Sequence, residues 1–129
     1  MLFHGVGGDW IVFDAGEFEK VLDGLVERRD SLWITDHISE YQYEAERKTA
    51  RVEAITVGDR QIQLKVTTDA DQQWFDYPLT LLTKVPPDWT KCQVSQGNTT
   101  TALFSSNGVL QYDAIPDGTP VTLKSLTTR

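Results

Sequence analysis

The sequence predicts an α+β chain: a short N-terminal βαβα segment, residues 1–49, packed on a C-terminal antiparallel β-sandwich of about seven strands, residues 50–129. Three observations carry this. Two stretches before Ala50 repeat apolar residues at helical spacing. Beyond Ala50 the texture changes to short runs of alternating polarity. Glycine- and proline-rich turns separate those runs at regular intervals, the pattern of an antiparallel all-β unit.

Met1 to His4 reads as a short apolar strand, broken by Gly5, Gly7 and Gly8. Asp14 is placed to start a helix: its carboxylate can accept from the Glu17 amide, and Glu17 can reach back to the Asp14 amide. Phe13 and Phe18 flank this cap as a hydrophobic staple. Phe18, Val21, Leu22, Leu25 and Val26 then form one stripe, and Arg28 and Arg29 suit the negative end of the helix dipole. Leu32-Trp33-Ile34 is a second strand-like run. Thr35 or Asp36 can cap a second helix to about Lys48, with a thinner apolar face of Ile38, Tyr41 and Ala45. Strand, helix, strand, helix is the rhythm of a repeat that builds parallel sheets.

From Arg51 the strands follow one another directly. Arg51–Val57 and Gln61–Thr67 flank the turn Gly58-Asp59-Arg60, and Ile62, Leu64 and Val66 mark a buried face. Tyr77–Leu82 is a third strand, in which Pro78 marks a start or an edge. Cys92–Gln96 and Thr99–Phe104 flank Gly97-Asn98 as a hairpin. Ser106-Asn107-Gly108 turns into Val109–Ala114, and Pro116-Asp117-Gly118 turns into Pro120–Leu126.

Composition narrows the function. Twelve basic residues against nineteen acidic give a net charge of −7, and no basic stripe appears, which disfavours nucleic acid as a partner. No apolar run approaches the roughly 20 residues that span a bilayer, and membrane association has no support. MLFHGVGG lacks the basic leader and long apolar segment of a secretory signal, so the chain is either cytosolic or lacks the start of a longer one; the compartment stays open. Cys92, the sole cysteine, permits no internal disulfide and sits in a predicted strand, where an inert buried thiol is the default. His4, His37 and Cys92, with Asp9 or Asp36, are the candidate metal ligands, but none stands at a metal-binding spacing, so the expected metal set is empty. The sequence contains no Gly-x-Ser-x-Gly nucleophile motif.

His4, at the end of a strand and followed by glycines, suits proton transfer near neutral pH; a sheet-edge histidine without a role is the plainer alternative. HGVGGDW followed by a capped helix and VLDGLVERRDSLWIT resembles the last βαβα stretch of polysaccharide deacetylases of the NodB type. The later FDYPLTLLTKVPPDW, SQG and YDAIPDGTPVTL resemble a β domain appended to some of those enzymes. The resemblance implies that His4 is the general acid and that the complete enzyme carries a divalent metal. The Asp-Asp pair and the His-x-x-x-His pair that the family needs are missing here. On this reading the chain is a C-terminal piece without activity alone, its partner either the upstream barrel or a second copy joined through residues 1–34. The alternative is a non-catalytic β-sandwich binding a glycan or another protein. For that, Trp74 and Phe75 in an acidic, glutamine-rich loop, and Trp89 after Pro86-Pro87, are the candidate sugar-stacking aromatics. Anchoring of loops onto the core competes and weighs more, since tryptophan is mostly buried.

Overall fold

A computed structural model describes residues 4–8 and 11–127. They form two helices and nine strands, and divide into two compact units between Asp36 and His37. The division falls ahead of the second helix rather than after residue 49, so that helix belongs with the strands that follow it.

The first unit holds strands β1 (Gly5–Val6) and β2 (Val12–Phe13) and helix α1 (Ala15–Glu27). β1 and β2 pair in parallel. The Asp14 cap forms as the sequence requires, its carboxylate accepting from the Glu17 amide at 3.0 Å. Glu17 does not complete the reciprocal box; its carboxylate takes Lys20 Nζ at 2.6 Å. At the other end the Arg28 guanidinium donates to the Gly24 carbonyl at 3.0 Å, satisfying one of the last free acceptors.

Two expectations are corrected here. Leu32-Trp33-Ile34 is not a strand. Its residues have the side chains of one, but a strand exists only where a ladder partner exists, and propensity does not supply the partner. With both short strands ahead of α1, the strand–helix–strand–helix order does not occur among the described residues. Of the strand expected at Met1–His4, residues 1–3 lie outside them, as does Asp9, and His4 is not in a strand.

The second unit holds α2 (His37–Thr49) and seven strands: β3 (Arg51–Val57), β4 (Gln61–Thr67), β5 (Leu79–Lys84), β6 (Lys91–Gln96), β7 (Thr99–Phe104), β8 (Val109–Ala114) and β9 (Val121–Ser125). Each falls within two residues of its predicted position. A five-stranded sheet runs in the order β3-β4-β9-β6-β7, and β5 pairs with β8; every one of these pairings is antiparallel. Turn chemistry sets the registers. Asn107 and Gly108 both have positive φ, 52° and 72°, as a type I′ hairpin turn demands. At Gly97, φ is 55°, the glycine-first pattern of type II′.

Paired residues of antiparallel strands share a face. Ile62, Leu64, Val66, Cys92, Val94, Val121 and Leu123 of the wide sheet meet Leu110, Tyr112 and Ala114 of β8 in one core, joined by Val85 and Trp89. The core stops short of both ends of the wide sheet. Val52 and Val57 share the face of Val66 and Ile62 yet are 54% and 73% exposed. At the far end, Thr99 and Thr101 share the face of Gln96 and Val94 and are also exposed.

Helix α2 does not bury the apolar face its sequence suggests. Ile38 and Tyr41 are 73% and 67% exposed, and the fully buried residue is Glu46. The helix is held by polar and ring contacts: the Thr49 and Thr68 hydroxyls meet at 2.7 Å, the Asp69 amide donates to Thr49 Oγ1 at 3.3 Å, Gln42 Nε2 donates to the Trp74 carbonyl at 2.6 Å, and the Tyr43 ring meets that of Tyr77 edge-on at 6.3 Å. Hydrophobic periodicity cannot register that kind of docking.

Candidate functional site

The segment between β4 and β5 is a long loop built rigidly. At its start the Arg51 guanidinium grips Asp69 through two bonds of 2.8 and 2.6 Å, the bidentate geometry that is strongest for this pair. Asp71 organises a turn: its side chain accepts from the Gln73 amide at 3.0 Å, and its carbonyl accepts from the Trp74 and Phe75 amides, each at 2.9 Å. Gln42 pins the Trp74 carbonyl from α2, and Gln72 Nε2 donates to the Pro116 carbonyl at 3.5 Å.

On this fixed backbone stand aromatic rings that solvent reaches. Trp74 is 66% exposed, and Tyr41, from α2, stands with its ring centroid 5.9 Å from that of the half-buried Phe75, tilted at 50°. An indole side chain buries roughly 150–250 Å² when enclosed. Leaving two-thirds of it in water forgoes about 2.5–4 kcal/mol at ~25 cal/mol per Å². Ordered backbone under exposed flat rings is the arrangement that stacks on the apolar face of another ring at little entropic cost.

Trp89 is not part of it. It is 1% exposed, its indole N–H donates to the Asp59 carbonyl at 3.2 Å, and its own carbonyl accepts from Ser105 Oγ at 2.6 Å. It anchors the Pro86-Pro87 turn onto the core. Of the three aromatics singled out in the sequence, Trp74 is exposed and Phe75 half-buried on this loop, while Trp89 lies in the core. Tyr41 is the partner that sequence reasoning assigned to the core.

A second feature begins beside this loop. The exposed face of β7 and the adjoining edge of β8 bound an open groove of about 590 Å³. Its lining includes the apolar Val94, Leu103 and Tyr112 and the polar Thr99, Thr101 and Gln111. Burial pushes the Tyr112 hydroxyl up from its ordinary pKa, while its contact with Thr83 Oγ1 at 2.8 Å pulls it back. A signal for the groove was present in the sequence. Thr99 and Thr101 occupy positions where a closed core would take aliphatic residues.

His4 is exposed and stands immediately ahead of β1. Among the described residues no group of three or more His, Cys, Asp or Glu is placed to hold a metal ion. His37 Nδ1 faces Glu40 at 3.8 Å on the surface of α2. Cys92 is buried, its thiol directed to the Trp89 carbonyl at 3.7 Å and pushed up by burial, the setting of an inert thiol.

The residues describe an α+β chain with a β-rich unit that presents aromatic rings and a groove. No family model matches the chain, and no solved structure matches it. A gellan lyase from Bacillus sp is similar, 31% identical over 68 residues. That stretch is 53% of this chain and only 3% of the lyase, so about half of this chain matches a small part of a much larger protein.

Proposed function

We propose that residues 37–129 form a β-sandwich module that binds a glycan without acting on it chemically, as an accessory part of a carbohydrate-active protein. The carrying observation is the exposed Trp74, next in sequence to the Phe75 ring that exposed Tyr41 faces, on a backbone pinned by Gln42 and Asp71. The sharing of one core between the two sheets supports the sandwich. Similarity to a short stretch of a gellan lyase supports carbohydrate as the ligand class, because large polysaccharide-acting proteins have room for modules of this size. The test is binding of the purified chain to immobilised gellan, chitin oligomers and cellulose oligomers, with wild type and Trp74→Ala compared. Binding of at least one glycan, lost on Trp74→Ala with an unchanged thermal melt, is the expected result. No binding by the wild type, or equal binding by the variant, ends the proposal.

A second reading, the tail of a NodB-type deacetylase, is favoured by His4 beside a parallel strand pair. On that reading His4 was the general acid of a reaction whose metal and base lie upstream. An upstream reading frame encoding an Asp-Asp pair and a histidine pair supports it; a frame without them removes it.

A further inference from the structure

The aromatic loop and the groove are neighbours. Pro78, which ends the loop, lines the groove, and Gln72 of the same loop bonds to Pro116, between the groove residues Ile115 and Asp117. Resting on the glycan reading above, we infer that the groove between β7 and β8 is a continuation of the aromatic site, and that it selects an uncharged glycan chain longer than a disaccharide.

The argument is one of hydrogen-bonding capacity and charge. The hydroxyls of Thr99 and Thr101 and the amide of Gln111 have no hydrogen-bond partner among the described residues, and all three are exposed. Hydroxyl and amide groups both donate and accept, which matches the hydroxyls of a sugar. The lining also holds Val94, Leu103 and Tyr112, and a mostly apolar surface with a few placed polar groups is the usual make-up of a small-molecule site. A volume of about 590 Å³ lies inside the usual ligand range of ~300–1,000 Å³. Charge in the groove disfavours an anionic chain there. The lining contains Asp113 and Asp117 and no lysine, arginine or histidine. Both carboxylates already have partners, Asp113 accepting from Thr80 Oγ1 at 2.7 Å and Asp117 from the Thr119 amide at 2.7 Å, so they act on a ligand chiefly as negative charge. An approaching uronate would meet like charge without compensation.

Calorimetric titration of the full chain tests this with cellohexaose, cellobiose and a galacturonate hexamer. Thr101→Val and Gln111→Ala alter exposed groove residues, and thermal melts verify that both fold. Each is expected to weaken binding of the neutral hexamer about 2- to 12-fold, the loss of one ordinary hydrogen bond, and to leave the dimer unchanged. Trp74→Ala weakens both. The uronate hexamer is expected to bind at least about tenfold more weakly than the neutral one, a difference equivalent to 1.4 kcal/mol. Hexamer binding that ignores both groove variants but is lost in Trp74→Ala overturns the groove and leaves the aromatic site standing. Stronger uronate binding overturns the charge argument, and displacement of the hexamer by an extended peptide would assign the groove to a protein strand instead. Failure of every sugar to bind removes the glycan reading itself.

Discussion

Glu46 is the residue whose replacement should speak most clearly. It is fully buried in the face of α2 that docks onto the strands, and although the Tyr77 amide faces its carboxylate, neither oxygen is held by a well-formed hydrogen bond. Burial pushes the carboxyl above its ordinary value of 4.5; the Tyr77 backbone amide counters this, and the nearby Asp76 charge adds to it. No basic side chain pairs with it among the described residues. The folded state therefore holds the proton more tightly than the unfolded chain. The stability this confers is complete below about pH 4.5 and is lost as pH rises through the folded-state value. An unsatisfied buried polar group costs about 1–3 kcal/mol, and more when charged. Glu46→Gln keeps the shape and removes the charge. At pH 8 it should melt higher than wild type by about 4–8 °C for each kcal/mol regained, the scaling for a domain of 60–100 residues. At pH 4 the two should melt together or the variant lower. Paired thermal melts by circular dichroism at both pH values read the difference between the proteins, which cancels the titration of the other carboxylates. A Glu46→Gln chain melting below wild type at pH 8 would refute the reasoning.

Other outcomes follow from single contacts. Trp89→Ala should cost about 3–5 kcal/mol, the usual loss for a buried large aromatic, and show up in denaturant melts as a folding defect. Asp14→Ala removes the bond to the Glu17 amide and should lower the stability of α1 by about 0.5–2 kcal/mol, seen as faster amide exchange over residues 15–18 with β4 and β9 unchanged. Leu22 and Val26 expose 44% and 59% of their surface on one face of α1, and we propose self-association through residues 1–34. Sedimentation velocity should find an oligomer that Leu22→Glu with Val26→Glu disperses; a monomeric wild type at high concentration counts against it.

What the sequence disclosed was local chemistry. Asp14 announces the helix it caps, and Asn107-Gly108 announces a turn that only positive φ can make. Alternation at Ile62, Leu64 and Val66 marked the core strand. What stayed hidden depended on partners distant in the chain. Leu32-Trp33-Ile34 has strand propensity but no ladder. Tyr41 looked like core because it falls three residues after Ile38, yet α2 turns Glu46 inward and docks through the Thr49–Thr68 hydroxyls and the Tyr43–Tyr77 rings. Trp74 and Trp89 lie in similar-looking loops, and only the fold separates the exposed ring from the buried one. The groove is a failure of alternation at Thr99 and Thr101, visible in the sequence but without meaning until β8 is set beside it.

Residue-resolved NMR titration of the intact, isotope-labelled chain with a neutral hexasaccharide reaches the heart of the matter. The account predicts saturable shifts of the Trp74 indole N–H together with the amides around Tyr41 and Phe75, continuing into Thr101 and Gln111, while the Trp89 indole stays still. Shifts absent at millimolar sugar, or gathered on a surface remote from Trp74, would contradict it.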